Sequence, residues 1–437
     1  MGNTVERREF LATAGILATA GLQQSSASAQ DDKKPMAVAL IGCGGMGSSH
    51  LKLLVKNRKV RVIALCDADS TRLAEAVKTV TDSGHEKPMA TDDMRKVLAL
   101  PELQAVWIAT PDHWHAPATI LACDAGKHVY VEKPCSHNLR EGRLMIEAAK
   151  RSGKVVQVGT QSRSTEHIRE AVKRLHSGAI GDILVSKAWN SQLRGNIGHK
   201  QPSEPPQSLN YDNWVGPAPM RPYQSNLLHS IWRFWYDFGV GDIGNDGVHD
   251  IDIARWGLGV TTHPSKITAT GSKYFFDDDQ QFPDNQYCIF EWPADDIVKH
   301  KRMLVYEQRD WSPYVQEGFE NGNAFYGTKG MMILGKNGGW KMFGPRNKLI
   351  EEMQGGFDLP SHHENFLQAI AGQSEAHAAI AINHFSTSLC HLANIACRVG
   401  RTLNFDPDRE QILNDSHANA MLHRSYRDGH WAVPQGI

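Results

Sequence analysis

The sequence has almost no net charge: 47 Lys and Arg stand against 48 Asp and Glu, leaving −1. Without a basic excess there is no electrostatic footprint for nucleic acid or anionic lipid, and no acidic tail stands out either. No apolar run approaches the ~18–20 residues that cross a bilayer, so no membrane span is expected. Cysteine is sparse: seven residues, an odd number with no short paired spacing, exclude a disulfide framework and point to small buried hydrophobes. Internal repeats are missing, and so is the G-x-S-x-G elbow of a serine hydrolase. The pairs His113/His115, His362/His363 and His384/His391 fit neither H-E-x-x-H nor a Cys-rich set, so no metal is expected.

What is present is an ordinary globular composition, 41% hydrophobic over 437 residues, enough for two domains with buried cores. The N-terminus has the layout of an export signal. Arg7 and Arg8 precede Phe10, an apolar run covers Leu11 to Leu22, and Ala27-Ser28-Ala29 offers a small-residue cleavage site. The arginine pair resembles a twin-arginine signal, with Glu6 and Ala12 off its commonest flanks. Residues 1–29 are therefore set apart from the fold, with the mature chain expected to begin at Gln30.

From Met36 short apolar strands alternate with amphipathic helices, as in MAVALI, VRVIALC, AVWIA, HVYVEK and VVQVG. Continuous apolar strands separated by helices predict a parallel sheet covered on both faces, a doubly wound α/β domain over 36–160. Between the first strand and first helix, Gly42-Cys43-Gly44-Gly45-Met46-Gly47 reads G-x-G-x-x-G. Gly42 permits the tight turn, Gly44 lets a pyrophosphate approach the backbone, and Gly47 allows close helix packing. The helix N-terminus, from Gly45 and Met46 onward, would face the phosphates. Asp67 ends the second strand 20 residues after Gly47, where a carboxylate accepts from the ribose and repels a 2′-phosphate. NAD is the expected cofactor, and Arg72 nearby keeps NADP open.

Two further stretches fall at carboxyl ends of strands, where open α/β sheets bind ligands. One is Ala109-Thr110-Pro111-Asp112-His113-Trp114-His115, and the other is Val131-Glu132-Lys133-Pro134. With the glycine loop and Asp67, these resemble the glucose–fructose oxidoreductase/inositol dehydrogenase (Gfo/Idh/MocA) family, from about Met36 to at least Gly400. The Glu-Lys-Pro tripeptide is the most specific mark, and the export signal is similar to that of the exported sugar oxidoreductases of the family.

The resemblance implies an α/β Rossmann domain followed by an α+β domain with a large, mostly antiparallel sheet. The segments are then 36–160, 161–405 and a tail over 406–437. It also implies that Gly42, Gly44, Gly45, Met46, Gly47, Asp67, Thr110, Pro111, His115, Glu132 and Lys133 contact the cofactor. Lys133 would point its ammonium group at a substrate oxygen beside the nicotinamide. Family members usually show Asp-x-x-x-His in the second half; with the histidine at His249, the acid position holds Asn245. An amide can orient a hydroxyl but cannot take its proton, so His249 is the expected base and Asn245 a positioner. Asp246 is expected to point about 100° away from Asn245 if the segment is helical.

Beyond the Rossmann domain, Arg163 is expected to face the cleft. Residues 191–230 show no period, the mark of a functional or disordered insertion. SIWRFWYDFG crowds Trp232, Trp235 and Tyr236 around Arg233, read either as a platform for a polyhydroxylated ring or as a buried aromatic helix. Lys133, Arg163, Arg233, Trp235, Asp246 and His249 are the expected substrate contacts.

Strand-like runs recur between Thr262 and Phe343, helices follow in ENFLQAIAG and HFSTSLCHLANIACRVGR, and the tail reads as irregular until SYRDGHWAVP. The expected partner is a carbohydrate or polyol, and a homo-oligomer is implied by the family. Three functions fit: hydride transfer on a tightly held cofactor, glycoside cleavage through a transient keto-sugar, or ligand sensing without catalysis.

Overall fold

A computed structural model describes residues 34–296 and 298–436. The expected signal over 1–29 lies outside these residues.

The first domain follows the alternation of its sequence. Its strands are β1 (Met36–Ile41), β2 (Val60–Cys66), β3 (Met89–Thr91), β4 (Ala105–Ile108), β5 (His128–Val131) and β6 (Val156–Val158). Its helices are α1 (Gly45–Leu54), α2 (Ser70–Asp82), α3 (Met94–Leu98), α4 (Asp112–Asp124) and α5 (Leu139–Ser152). All strand pairs are parallel, in the order β3-β2-β1-β4-β5-β6. Alternate β1 residues serve the two faces: Val38 and Leu40 join one apolar cluster, Ala37, Ala39 and Ile41 the other. The order reverses between β1 and β4, which opens the crevice where such sheets bind ligands. Side-chain caps start the helices where short polar residues allow, as with Asp69 for α2 and Asn138 for α5.

The second domain is a ten-stranded sheet backed by helices. After α6 (Glu166–His176) comes β7 (Ile183–Ser191), then α7 (Tyr211–Val215) and α8 (Val248–Leu258). The sheet continues with β8 (Lys266–Ser272), β9 (Asn285–Trp292), β10 (Arg302–Arg309), β11 (Asn321–Gly327), β12 (Met331–Gly335), β13 (Gly339–Gly344) and β14 (Lys348–Met353). The closing elements are α9 (Leu359–Ile370), α10 (Ile380–Val399), β15 (Leu403–Asp406), β16 (Gln411–Ile412) and α11 (Ser416–Ala420). Only β7 and β10 pair parallel among the neighbours of the order β14-β13-β12-β11-β7-β10-β9-β8-β15-β16. The core lies between this sheet and α8 and α10, where Phe290, Tyr306, Phe325, Ile251 and Leu389 are fully buried.

Two regions of irregular sequence take defined positions. The insertion at 191–230 is ordered: it carries α7 and a small aromatic core of Leu209, Trp214, Val215, Leu227, Trp235 and Phe238. The tail is pinned to the first domain where Arg424 and Tyr426 both bond the buried Glu141 carboxylate on α5, at 2.7 and 2.8 Å. All seven cysteines are free thiols, and six are buried.

Candidate active site

The crevice is a cleft of about 430 Å3 lined by the glycine loop, the β2 and β4 termini and the Glu132-Lys133 turn. Gly42 has φ +90°, a conformation only glycine holds cheaply, and a Cβ there would press on the Ala109 backbone. A Cβ at Gly47 would collide with the Gly42 carbonyl oxygen, so this glycine lets α1 seat against the loop. The N-terminus of α1 has no side-chain cap, and a Cβ on Gly45 would meet nothing within 4 Å. The loop thus turns bare backbone toward the cleft, the form of cradle a pyrophosphate needs. Met46, Thr110, Pro111 and His115 also line it.

Asp67 braces the far end. Its Oδ2 accepts from the Cys43 N–H at 2.6 Å and its Oδ1 from the Asp69 N–H at 2.8 Å. Burial pushes its carboxyl up from the usual range, opposed by those two N–H groups and by Arg72. Arg72 lies against Gly44, so one carboxylate and one guanidinium flank the adenosine end. The residues present fit a nicotinamide dinucleotide.

The 191–230 insertion, read as functional or disordered, supplies the outer wall. The Ser70 N–H donates to the Ser208 carbonyl and the Asn210 N–H to the Ala68 carbonyl, both at 2.8 Å. Asn210 Nδ2 donates to Asp92 at 2.8 Å, and His229 bonds Asp69 at 3.2 Å. Trp214, His229, Trp232 and Arg233 then line the cleft.

Trp235 does not line the cleft. The aromatic segment forms a short 3-10 turn at Trp232–Phe234 rather than a helix, and this sends Trp235 into the insertion's core. There its Nε1 donates to the Asn226 carbonyl at 3.0 Å and Arg221 covers its ring. Arg163 is likewise structural. It forms two bonds to Asp252 at 2.7 and 2.8 Å, its side chain is 5% exposed, and it stacks on Trp256.

At the working end, Glu132 and Lys133 leave β5 in opposite senses. Glu132 is buried and bonds His50 Nε2 at 2.9 Å. Burial alone would raise its carboxyl, but His50 and Lys133 outweigh that and hold it down at about 2. Lys133 Nζ donates to the Asn245 carbonyl at 2.6 Å, joining the first domain to the second at the cleft. His115 is locked between the Pro134 and Thr110 carbonyls at 2.7 and 2.9 Å, so its ring is a wall rather than a reagent.

The segment Ile243–Gly247 is a π turn that runs into α8. The spacing rule of an α-helix does not hold through it, and Asn245 and Asp246 are placed accordingly. The Asn245 amide turns to Asp242, with Nδ2 at 2.9 Å from Oδ1. Asp246 shares a second cavity of about 200 Å3 with His249, Lys336, Ser162 and Asn337. Asp246 and Asn245 thus point into different cavities, and it is Asp246 that shares one with His249. Burial, with Lys336 and Lys133 nearby, pushes the His249 imidazole down to about 3, so the ring is neutral at ordinary pH. Its Nδ1 has no hydrogen-bond partner among the described residues.

Lys336, Gln192 and Arg194 were not legible as site residues: two follow the end of β7 and one sits in the β12–β13 turn. Among the described residues, His263, His384 and Glu410 form the one cluster with ligand-like spacing. Both imidazoles bond the same Glu410 oxygen, at 2.8 and 2.7 Å, and Arg143 grips that carboxylate as well. A guanidinium in that place makes the cluster an ion-paired clasp between α5, α10 and the β15–β16 hairpin.

The glycine cradle, the acid at the end of β2 and the lysine at the end of β5 define a dinucleotide-binding Rossmann protein whose second domain closes the site. Residues 36–160 match the oxidoreductase family with an NAD-binding Rossmann fold, and 180–433 match that family's C-terminal alpha/beta domain. The chain belongs to the Gfo/Idh/MocA oxidoreductase family.

Among curated relatives, levoglucosan dehydrogenase of Pseudarthrobacter phenanthrenivorans is 29% identical over 53% of this chain and 54% of its own length. A glycosyl hydrolase family 109 protein of Saccharopolyspora erythraea is 30% identical over 34% of this chain and 33% of its own. The chain thus spans a third to about half the length of these relatives. A solved levoglucosan dehydrogenase in complex with NADH has the same fold, with TM-score 0.65 at 20% identity over 84% of this chain and 98% of that one. Aldose-aldose oxidoreductase of Caulobacter crescentus, complexed with glycerol, gives TM-score 0.63 at 18% identity over 85% of this chain and 100% of that one.

Proposed function

We propose that this chain oxidises a sugar or polyol hydroxyl using an NAD(P) cofactor that it keeps bound, and that it works outside the cytoplasm. The observation that carries the reading is Lys133, whose ammonium group reaches from the Rossmann strand end to the Asn245 carbonyl at 2.6 Å, on the segment that runs into α8 and His249. A bound nicotinamide dinucleotide supplies the hydride acceptor. Lys133 orients and polarises the substrate hydroxyl, and His249 takes its proton, a contribution of about 10²–10⁴ in rate.

The stitched outer wall supports retention, since adenosine could leave only after the insertion lifts from Ala68, Ser70 and Asp92. The Arg7-Arg8 signal supports export, as a twin-arginine signal carries a folded protein. Outside the cell free dinucleotide is scarce, and a retained cofactor must be returned to its starting state on the enzyme. Reduction of a second substrate in the same site does this.

A second reading, glycoside cleavage through a transient ketone with hydride returned, is favoured by the relatives named glycosyl hydrolase family 109. Both readings use Lys133. In a single-turnover assay with a panel of sugars and polyols, Lys133→Ala is expected to slow hydride transfer at least ~10²-fold. An unchanged rate removes the lysine from the chemistry. Cleaved oligosaccharide with no net change in the cofactor selects the second reading.

A further inference from the structure

Resting on the proton-transfer role of His249, we infer that Asp246, not Asn245, is its acidic partner, and that Lys336 is a positioning residue that holds this carboxylate in place. The Asn245 side chain is spent on Asp242, and its carbonyl on Lys133, at 2.9 and 2.6 Å. Asp246 is gripped from three sides instead. Its Oδ2 accepts from Gln192 Nε2 at 3.0 Å and Arg194 Nη2 at 3.1 Å, and its Oδ1 from Lys336 Nζ at 3.3 Å.

Lys336 also stands 3.6 Å from the buried Asp250, so one ammonium group bridges two carboxylates one helical turn apart. Asp246, His249 and Lys336 line one cavity, while Asn245 lies in the wall of the other. A residue at the usual acid position has thus been displaced by a π turn, and the next residue along has taken up the charge. When the substrate hydroxyl gives its proton to the His249 ring, Asp246 stays ionised and favours the imidazolium that forms. Removing one of its three donors would loosen it, and removing the carboxylate would leave His249 between two lysines.

The charged groups that act most on the His249 ring are Lys336 and Lys133, which push it down, and Asp246 and Glu132, which push it up. The largest cationic influence on it is Lys336, which gives a test that needs no turnover. Imidazole NMR of His249 in the full chain is followed against pH in Lys336→Met, or Lys336→Gln where Met unfolds the protein. The midpoint is expected to rise by about a unit or more. In that background Asp246→Asn should lower it again by a comparable amount, and Asn245→Ala should leave it unmoved.

The inference is overturned if Asn245→Ala moves the midpoint as far as Asp246→Asn does, or if Asp246→Asn moves nothing. In turnover, Asp246→Asn should cut kcat at least tenfold with KM little changed, and Asp246→Glu should recover part of it. Normal NMR behaviour with no hydride transfer in any variant would sink the oxidoreductase reading and leave the Asp246–His249 pairing standing.

Discussion

The cofactor cradle of the cleft is made of backbone, whereas the cavity beside His249 is held by charged side chains that pair with one another. In the first, Gly42, Gly45 and Gly47 matter because they add nothing, and the geometry comes from strand, turn and helix. In the second, Arg194, Lys336, Asp242 and Asp246 fix positions through ion pairs drawn from three separate parts of the chain. A backbone cradle tolerates no added atom at Gly42 or Gly47. An ion-paired wall tolerates repacking but no lost charge, because an unpaired buried charge costs several kcal/mol.

The sharpest break on the backbone side is Gly47→Val. Its β-carbon has the Gly42 carbonyl in its path, so α1 must move off the loop and dinucleotide binding by calorimetry should disappear. Retained binding would mean that the loop is not the cradle. On the ion-pair side, Asp252→Asn leaves Arg163 buried without its charge partner and should cost about 3–5 kcal/mol in denaturant unfolding. Burial raises the Asp252 carboxyl, but Arg163, Arg255 and Ser386 hold it below its ordinary range overall. Its contribution is therefore complete above the unfolded value of ~3.9 and is lost as pH falls through the folded one, so wild type and variant should converge in acid. A gap that stays constant to low pH would contradict this assignment.

The same contrast explains what could be read from the chain. The glycine loop, Asp67 and Glu-Lys-Pro are local patterns tied to strand ends, and the structure gathers them around one cleft. The strand-like runs that form β9 and β10 were equally plain. Arg163 failed because its neighbour across the fold, Asp252, lies 89 positions away. Trp235 failed because a 3-10 turn, not a helix, sets its direction. The π turn before α8 undid the helical spacing used for Asn245 and Asp246. Lys336 carried no local signal at all: a lysine in a tight hairpin turn reads as solvated surface until the topology sets it against two aspartates.

Retention of the cofactor separates this account from that of an ordinary dehydrogenase. The direct measurement is the dinucleotide content of the purified, extensively dialysed chain by mass and absorbance, with the exchange rate of Asn210→Ala alongside. The account predicts a co-purifying NAD or NADP that added sugar alcohol reduces in place. The variant should lose it up to ~10-fold faster, the worth of the hydrogen bond to Asp92. A chain that emerges empty and exchanges added dinucleotide as quickly as the variant would contradict it.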